Sequence, residues 1–296
     1  MDKAIKDFYL NVSQYTNAGA YLEYFKALPA DINKLRDLLN DQHIHKMRFY
    51  RTHPYSLAKC NFNNINFLND DLTTATSMTA EIFRLNPKGF VVGKPDAQKL
   101  IITCRYMSIL FASVLKAKGI PVRCRAGFAP YIYRDYIVDH WINEYWSEDK
   151  QRWIKIDPDV RDHTRTCDQN VNLYDIGAEF EYSADLWLKA RSGELENLNM
   201  YTKNSRFKNI DVFAWQLFLD FYALMNIELP YHASPEFIYR ENFYTITKQD
   251  YEEIDRLAKF MQKPDENFEL LKAEFENNEK FRILRSPNFN PYLDIK

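Results

Sequence analysis

Between Cys104 and Phe128 the apolar spacing changes from the period of a helix to that of a strand, and no other feature restricts the folding of this chain as much. Met107, Leu110, Phe111, Val114 and Leu115 recur three and four residues apart, so residues 104–118 are expected to form a helix that starts at Cys104. Lys116 and Lys118 occupy its last turn, and Gly119 and Pro121 stop it. Val122, Cys124, Ala126 and Phe128 then alternate with Arg123 and Arg125 at strand period. Two further runs, HWINEYW and RWIKID, read as strands separated by the polar turn SEDKQ. A helix followed by an antiparallel sheet predicts an α+β fold.

Helical segments flank this centre. Residues 18–50 read as two helices broken near Pro29, with Asp31 capping the second and Ile32, Leu35, Leu38 and Leu39 on one face. Residues 51–70, with His53-Pro54 and CNFNNINFLND, read as a long connection to a helix at 72–85, and PKGFVVGKPD then breaks the pattern. Beyond about residue 180 strand signals fade. VFAWQLFLDFYALMNIEL and DYEEIDRLAKFM carry helical spacing, Pro230, Pro235 and Pro264 punctuate them, and RSPNFNPYLDIK reads as an irregular tail. The expected organisation is a helical segment at 1–85, a core at 86–170 and a helical region at 171–296, all packed as one unit.

Charge narrows the function. With 39 basic against 41 acidic residues, the chain has no global attraction to nucleic acid or to an anionic membrane, and neither is expected as a partner. MDKAIKDFYLNVSQYT lacks an apolar leader core, and no run of about eighteen apolar residues could span a bilayer, so a soluble, cytoplasmic protein is expected. Cys60, Cys104, Cys124 and Cys167 are widely spaced without a CxxC pair, as reduced thiols would be. Only seven glycines are present, with no phosphate-cradling GxGxxG or GxxxxGK[ST].

A thiol at a helix start meets unpaired backbone N–H groups and the positive end of the helix dipole, which favour the thiolate. The same N–H groups can stabilise an oxyanion. The plainer alternative for Cys104 is a small buried hydrophobe, the usual fate of a free cysteine. The hairpin adds weight to the first reading. With a turn centred between Glu148 and Asp149, HWINEYW and RWIKID pair so that Asn143 faces Ile154 and His140 faces Asp157. Asp157 would then accept the Nδ1 proton of His140 and leave Nε2 toward the thiol. A slip of one residue would separate the two onto opposite faces.

These residues carry a family resemblance. CRYMSILFASVLKAKGIPVRCRAGF, DHWINEYW and RWIKIDPD resemble the transglutaminase-like superfamily, and more narrowly a bacterial group within it. The resemblance implies a papain-like core, a catalytic helix on an antiparallel sheet, with Cys104 as nucleophile, His140 as base and Asp157 as orienter. KALPADINKL, WLKARSGE and LMNIELP extend it weakly into the flanks. Ile102 stands where many members have glycine, and Trp141 follows His140 where many have a small residue.

Other candidates border the three. Arg105, Arg123 and Arg125 either steady the thiolate and bind a substrate carboxylate or lie on an ordinary charged outer face, and the second reading carries more weight. Asp139, Trp141 and Glu144 are candidates to support the site or touch substrate, and Asp159 either joins them or caps the Asp-Pro turn. His43 and His45, read on a helix, do not share a face and are expected as exposed polar positions. Cys124 is expected in the strand core and Cys167 in a loop, and His163 and His232 have no clear partner. No HxxxH or CxxC pair offers a metal site, so neither metal nor cofactor is expected. Two functions remain. One is a cysteine-dependent acyl-transfer enzyme, hydrolase or acyltransferase, acting on a peptide, protein or small amide or thioester. The other is a catalytically silent core serving as a binding module.

Overall fold

The computed structural model describes residues 2–52, 72–160, 170–205, 207–231, 233, 235, 238 and 247–283. Cys60, Cys167, His53, His163, His232, most of the expected 51–70 connection and the expected C-terminal tail lie outside the described residues.

The N-terminal region is built from α1 (Lys3–Leu10), α2 (Leu22–Ala27) and α3 (Ile32–Asn40). Asp31 caps α3, its carboxylate accepting from the Lys34 N–H at 2.8 Å. Leu35 and Leu39 are wholly buried, and Ile32 and Leu38 pack beside them, as the spacing predicts. The chain then departs from expectation. Instead of continuing as helix it forms a three-residue strand, β1 (His43–His45), followed by α4 (Lys46–Thr52). β1 pairs in parallel with β2 (Leu100–Ile102), placing His45 beside Ile102. A partner nearly sixty residues along the chain thus overrides local helical spacing. The helix expected at 72–85 is α5 (Ala75–Leu85), closed at its start by a Thr74–Ser77 capping box.

β2 runs into α6 (Cys104–Ala117), with Thr103 at its N-cap. Gly119 ends the turn that follows, at φ +76°, a left-handed conformation glycine adopts without strain. Next come β3 (Val122–Ala129), β4 (Val138–Ser147), β5 (Arg152–Ile156) and β6 (Glu181–Tyr182), hydrogen-bonded in the order β5-β4-β3-β6. All neighbours are antiparallel, so the fold is α+β. Gly127 faces His140 in β4 and Tyr182 in β6, and a Cβ there would lie 2.4 Å from the Glu181 carbonyl oxygen. Close approach of β6 therefore requires glycine.

After β6 the chain is helical: α7 (Ser183–Ser192), α8 (Leu198–Thr202), α9 (Asp211–Leu224), α10 (Lys248–Met261) and α11 (Phe268–Asn277). α9 lies against β3, with Gln216 and Asp220 hydrogen-bonding its backbone at Gly127 and Ala126. One apolar cluster draws on all three segments, from Ile5 through Met107 and Cys124 to Phe281. β3 is buried on both faces, so Arg123 and Arg125 do not occupy a solvated outer face. No helix among the described residues is long and apolar enough to cross a membrane.

Candidate active site

β2 ends one residue before the N-cap of α6, so the sheet-like pairing of β1 and β2 fixes where that helix begins. Cys104 is its first residue and only 4% exposed. Ser108, one turn on, ties α6 to β4 by donating to the Ile142 carbonyl at 2.8 Å. The Cys104 thiol and the His140 imidazole lie within range to act on each other's charge.

His140 Nε2 lies 2.8 Å from Asp157 Oδ2, which also accepts from the Tyr131 hydroxyl at 2.7 Å. The other oxygen, Oδ1, accepts from the backbone N–H of Asp159 at 2.8 Å and of Val160 at 3.0 Å. Four donors therefore hold this carboxylate. Two details differ from the sequence reading. The hairpin turn is centred between Asp149 and Lys150, one residue further along the chain, so Asn143 faces Ile156 rather than Ile154, and Asp157 reaches His140 diagonally. A two-residue change of register preserves the shared face, which is why the contact survives it. The imidazole is also reversed: Nε2 meets Asp157, and Nδ1 is left for the thiol.

Burial opposes charge on each of the three, and their mutual interactions overcome it. His140, with the charges of Asp157 and Cys104 beside it, has its pKa raised well above the ordinary histidine value. The Cys104 thiol is drawn below its ordinary value despite burial, chiefly by the charge of His140 and then by His45, while Asp159 pulls the other way. Asp157 is held below the usual carboxylate range, chiefly by His140. The arrangement favours a thiolate–imidazolium pair. Cys124 shows the contrast: burial in β3 and the Glu228 charge push its thiol up to about 12, against the weaker pull of Lys116 and Arg105.

Several groups gathered here were not legible as site residues. Tyr231 places its hydroxyl 3.3 Å from Cys104 Sγ. Burial and the nearby Cys104 and Asp139 charges keep that phenol protonated, so its O–H is able to donate to a thiolate at Cys104. His43 and His45 share a face because they lie on a strand. His43 is buried with Nε2 2.8 Å from Asp159 Oδ1, and partly buried His45 has Nε2 3.9 Å from Asp159 Oδ2. α3 clamps the Asp157-Pro158-Asp159 turn: Arg36 donates to the Asp157 and Val160 carbonyls, and Asn40 to those of Pro158 and Asp159.

The remaining candidates have other surroundings. Arg105 is wholly buried and donates to the carbonyls of Glu228 and Leu229, fixing the segment that leads to Tyr231. Arg125 binds Asp220 through both nitrogens of its fork and also Glu144, which Arg123 and Tyr182 engage as well. Glu144 and Arg125 thus form a buried ionic network between β3, β4 and α9. Trp141 is buried edge-on against Tyr231, and its indole N–H has no hydrogen-bond partner among the described residues. Asp139, the second residue of β4, stands opposite Phe128. Among the described residues no group of three or more His, Cys, Asp or Glu is arranged to hold a metal ion.

Fold and site together describe an α+β protein that gathers a thiol, an imidazole and a carboxylate, the last two hydrogen-bonded to each other. Residues 93–158 match the family model of the transglutaminase-like superfamily, whose members are generally cysteine-dependent enzymes. The match begins ahead of β2 and ends just past Asp157, leaving out β1 and Asp159. No curated protein and no solved structure matches the chain.

Proposed function

We propose that this protein is a cysteine-dependent acyl-transfer enzyme, built on a papain-like core, that takes an acyl group from an amide or thioester. The observation that carries the reading is the contact of Cys104, at the start of α6, with His140, which Asp157 holds from its other side. The thiolate attacks the carbonyl carbon, and the carbonyl π electrons move to oxygen. Backbone N–H groups at the start of α6 supply donors for that charge. Collapse breaks the bond to the leaving amine, which takes its proton from the His140 imidazolium. Neutral His140 then removes a proton from water or an acceptor amine as it attacks the thioester. Departure of Sγ restores the thiolate–imidazolium pair.

A second reading, a silent binding module, draws on the near-complete covering of Sγ and the Tyr231 hydroxyl against it. 4-Nitrophenyl acetate separates the two. An acyl-transfer enzyme gives a burst of nitrophenol and an acetyl adduct on the Cys104 peptide, lost in Cys104→Ala and slowed in His140→Ala. A folded protein that gives no adduct on Cys104 sinks the enzymatic reading.

A further inference from the structure

β1 is three residues long, yet it brings two imidazoles to one carboxylate. Its parallel register sets His45 beside Ile102, two residues before Cys104, and brings the imidazole within range to act on the thiol's charge. The sulfur therefore meets two histidines, each beside its own carboxylate of the Asp157-Pro158-Asp159 turn. The turn ties the carboxylates together, since the Asp159 N–H donates to Asp157 Oδ1. The charged and titratable groups around the sulfur are His140, His45, Asp159 and Tyr231.

The two imidazoles are not equivalent. His140 turns Nε2 to Asp157, which leaves Nδ1 to exchange a proton with the thiol. On His45, Nδ1 accepts the backbone N–H of Met47 at 3.3 Å. The ring proton of His45 therefore sits on Nε2, the nitrogen that faces Asp159. Burial opposes charge on His45, while Asp159 and the thiol favour it and raise its pKa above the ordinary histidine value. A second proton, however, could enter only at Nδ1, where it would displace the Met47 N–H.

We propose that His45 is a second functional imidazole of this site, a fixed N–H donor that holds the Cys104 sulfur as thiolate while His140 alone moves protons. The inference rests on the reading of Cys104 as nucleophile. Asp159, a buried carboxylate near the sulfur, disfavours the thiolate, and a donor interposed by β1 offsets it. His43 assists by binding the other oxygen of Asp159, which fixes the carboxylate beside His45. β1 lies outside the segment matched by the family model, so this histidine belongs to the chain's own N-terminal region.

The test is the pH dependence of Cys104 alkylation by iodoacetamide, followed by mass spectrometry of the Cys104 peptide. It compares the wild type with His45→Leu, His45→Gln, His45→Asn and His140→Ala, each checked for fold by circular dichroism. A hydrogen bond to a charged group corresponds to a shift of about one to two pH units. His45→Leu is expected to move the alkylation midpoint upward by about one unit. His45→Gln, whose amide nitrogen reaches the Nε2 position, restores most of that shift. His45→Asn reaches only the Nδ1 position and does not, so the Gln and Asn pair decides the matter if the Leu variant folds poorly. If the midpoint is the same in all His45 variants but moves in His140→Ala, this inference is overturned and the nucleophile reading stands. A wild-type midpoint at that of an ordinary thiol overturns the nucleophile reading itself.

Discussion

His140 and Asp157 share a face of the sheet without standing opposite each other: Nε2 and Oδ2 are 2.8 Å apart although the ladder sets Asn143 against Ile156. The diagonal reach is possible because Asp157 lies just past the end of β5, in a turn whose backbone is held from α3 and whose Oδ1 is fixed by two N–H groups. Geometry at the thiol is thus set by three elements distant in sequence: α6 for the sulfur, β4 for the imidazole and the end of β5 for the carboxylate.

Asp157→Asn keeps the shape of this side chain and removes its charge. Without it the imidazolium loses its main support, and the pair with Cys104 shifts back toward neutral thiol and neutral imidazole. Charge-assisted hydrogen bonds of this kind correspond to about 1.5–3 kcal/mol, so alkylation of Cys104 at pH 6 should slow about tenfold or more. An unchanged rate in a folded variant would show that Asp157 does not act on the thiol through His140.

Cys104 and Cys124 are both buried and make an internal comparison. One is drawn below the ordinary thiol value and the other pushed up to about 12, so in the native protein at pH 7 Cys104 should be labelled more than about a hundredfold faster. Denaturation should abolish the difference. Equal native rates in the two tryptic peptides would contradict the local electrostatics.

The extent to which this site could be read from the sequence follows from periodicity. Strand alternation alone puts His140 and Asp157 on one face, and an error of two residues in register leaves that intact. Cys104 was legible because Gly119 and Pro121 stop the helix on one side and the apolar spacing begins on the other. His43 and His45 were not, because their conformation is decided by pairing with β2 and not by their neighbours, which read as helix. Arg123 and Arg125 looked like an outer face because the alternation of β3 cannot reveal that α9 and the ionic partners cover it. Tyr131, Tyr231 and Arg36 act through contacts with distant segments, for which no local pattern exists.

Acid should destabilise the fold through Glu144 and Asp159. Burial disfavours both carboxylates. Arg123 and Arg125 nevertheless hold Glu144 well below the usual range, and His45 and His43 do so for Asp159. Their unfolded values are about 4.3 and 3.9, so the stability they confer is present above those values and lost as pH falls toward the folded ones. The melting temperature should therefore drop steeply below about pH 4. Glu144→Gln should flatten that dependence. At pH 7 it should cost about 3–5 kcal/mol in denaturant unfolding, because Arg123 and Arg125 lose a buried counter-charge. A variant as stable as the wild type at pH 7 and equally acid-sensitive would rule out this role for the network.

Arg36 offers a test of whether the N-terminal helices set the geometry of the thiol from a distance. Its guanidinium, almost wholly buried, donates to the carbonyls of Asp157 and Val160, and Asn40 beside it holds those of Pro158 and Asp159. Arg36→Met keeps most of the side-chain volume but leaves two buried carbonyls without these donors, at a cost of about 1–3 kcal/mol for each unsatisfied group. The Asp157-Pro158-Asp159 turn carries both carboxylates of the site, so its loosening should disturb His140 and His45 together. The expected result is a lower melting temperature accompanied by an upward shift of the Cys104 alkylation midpoint, although Arg36 touches neither the sulfur nor an imidazole. The two effects must appear together. A drop in stability with the midpoint unmoved would show that Asn40 and the Asp157 hydrogen bonds alone hold the turn, and that α3 contributes to the fold without setting the chemistry.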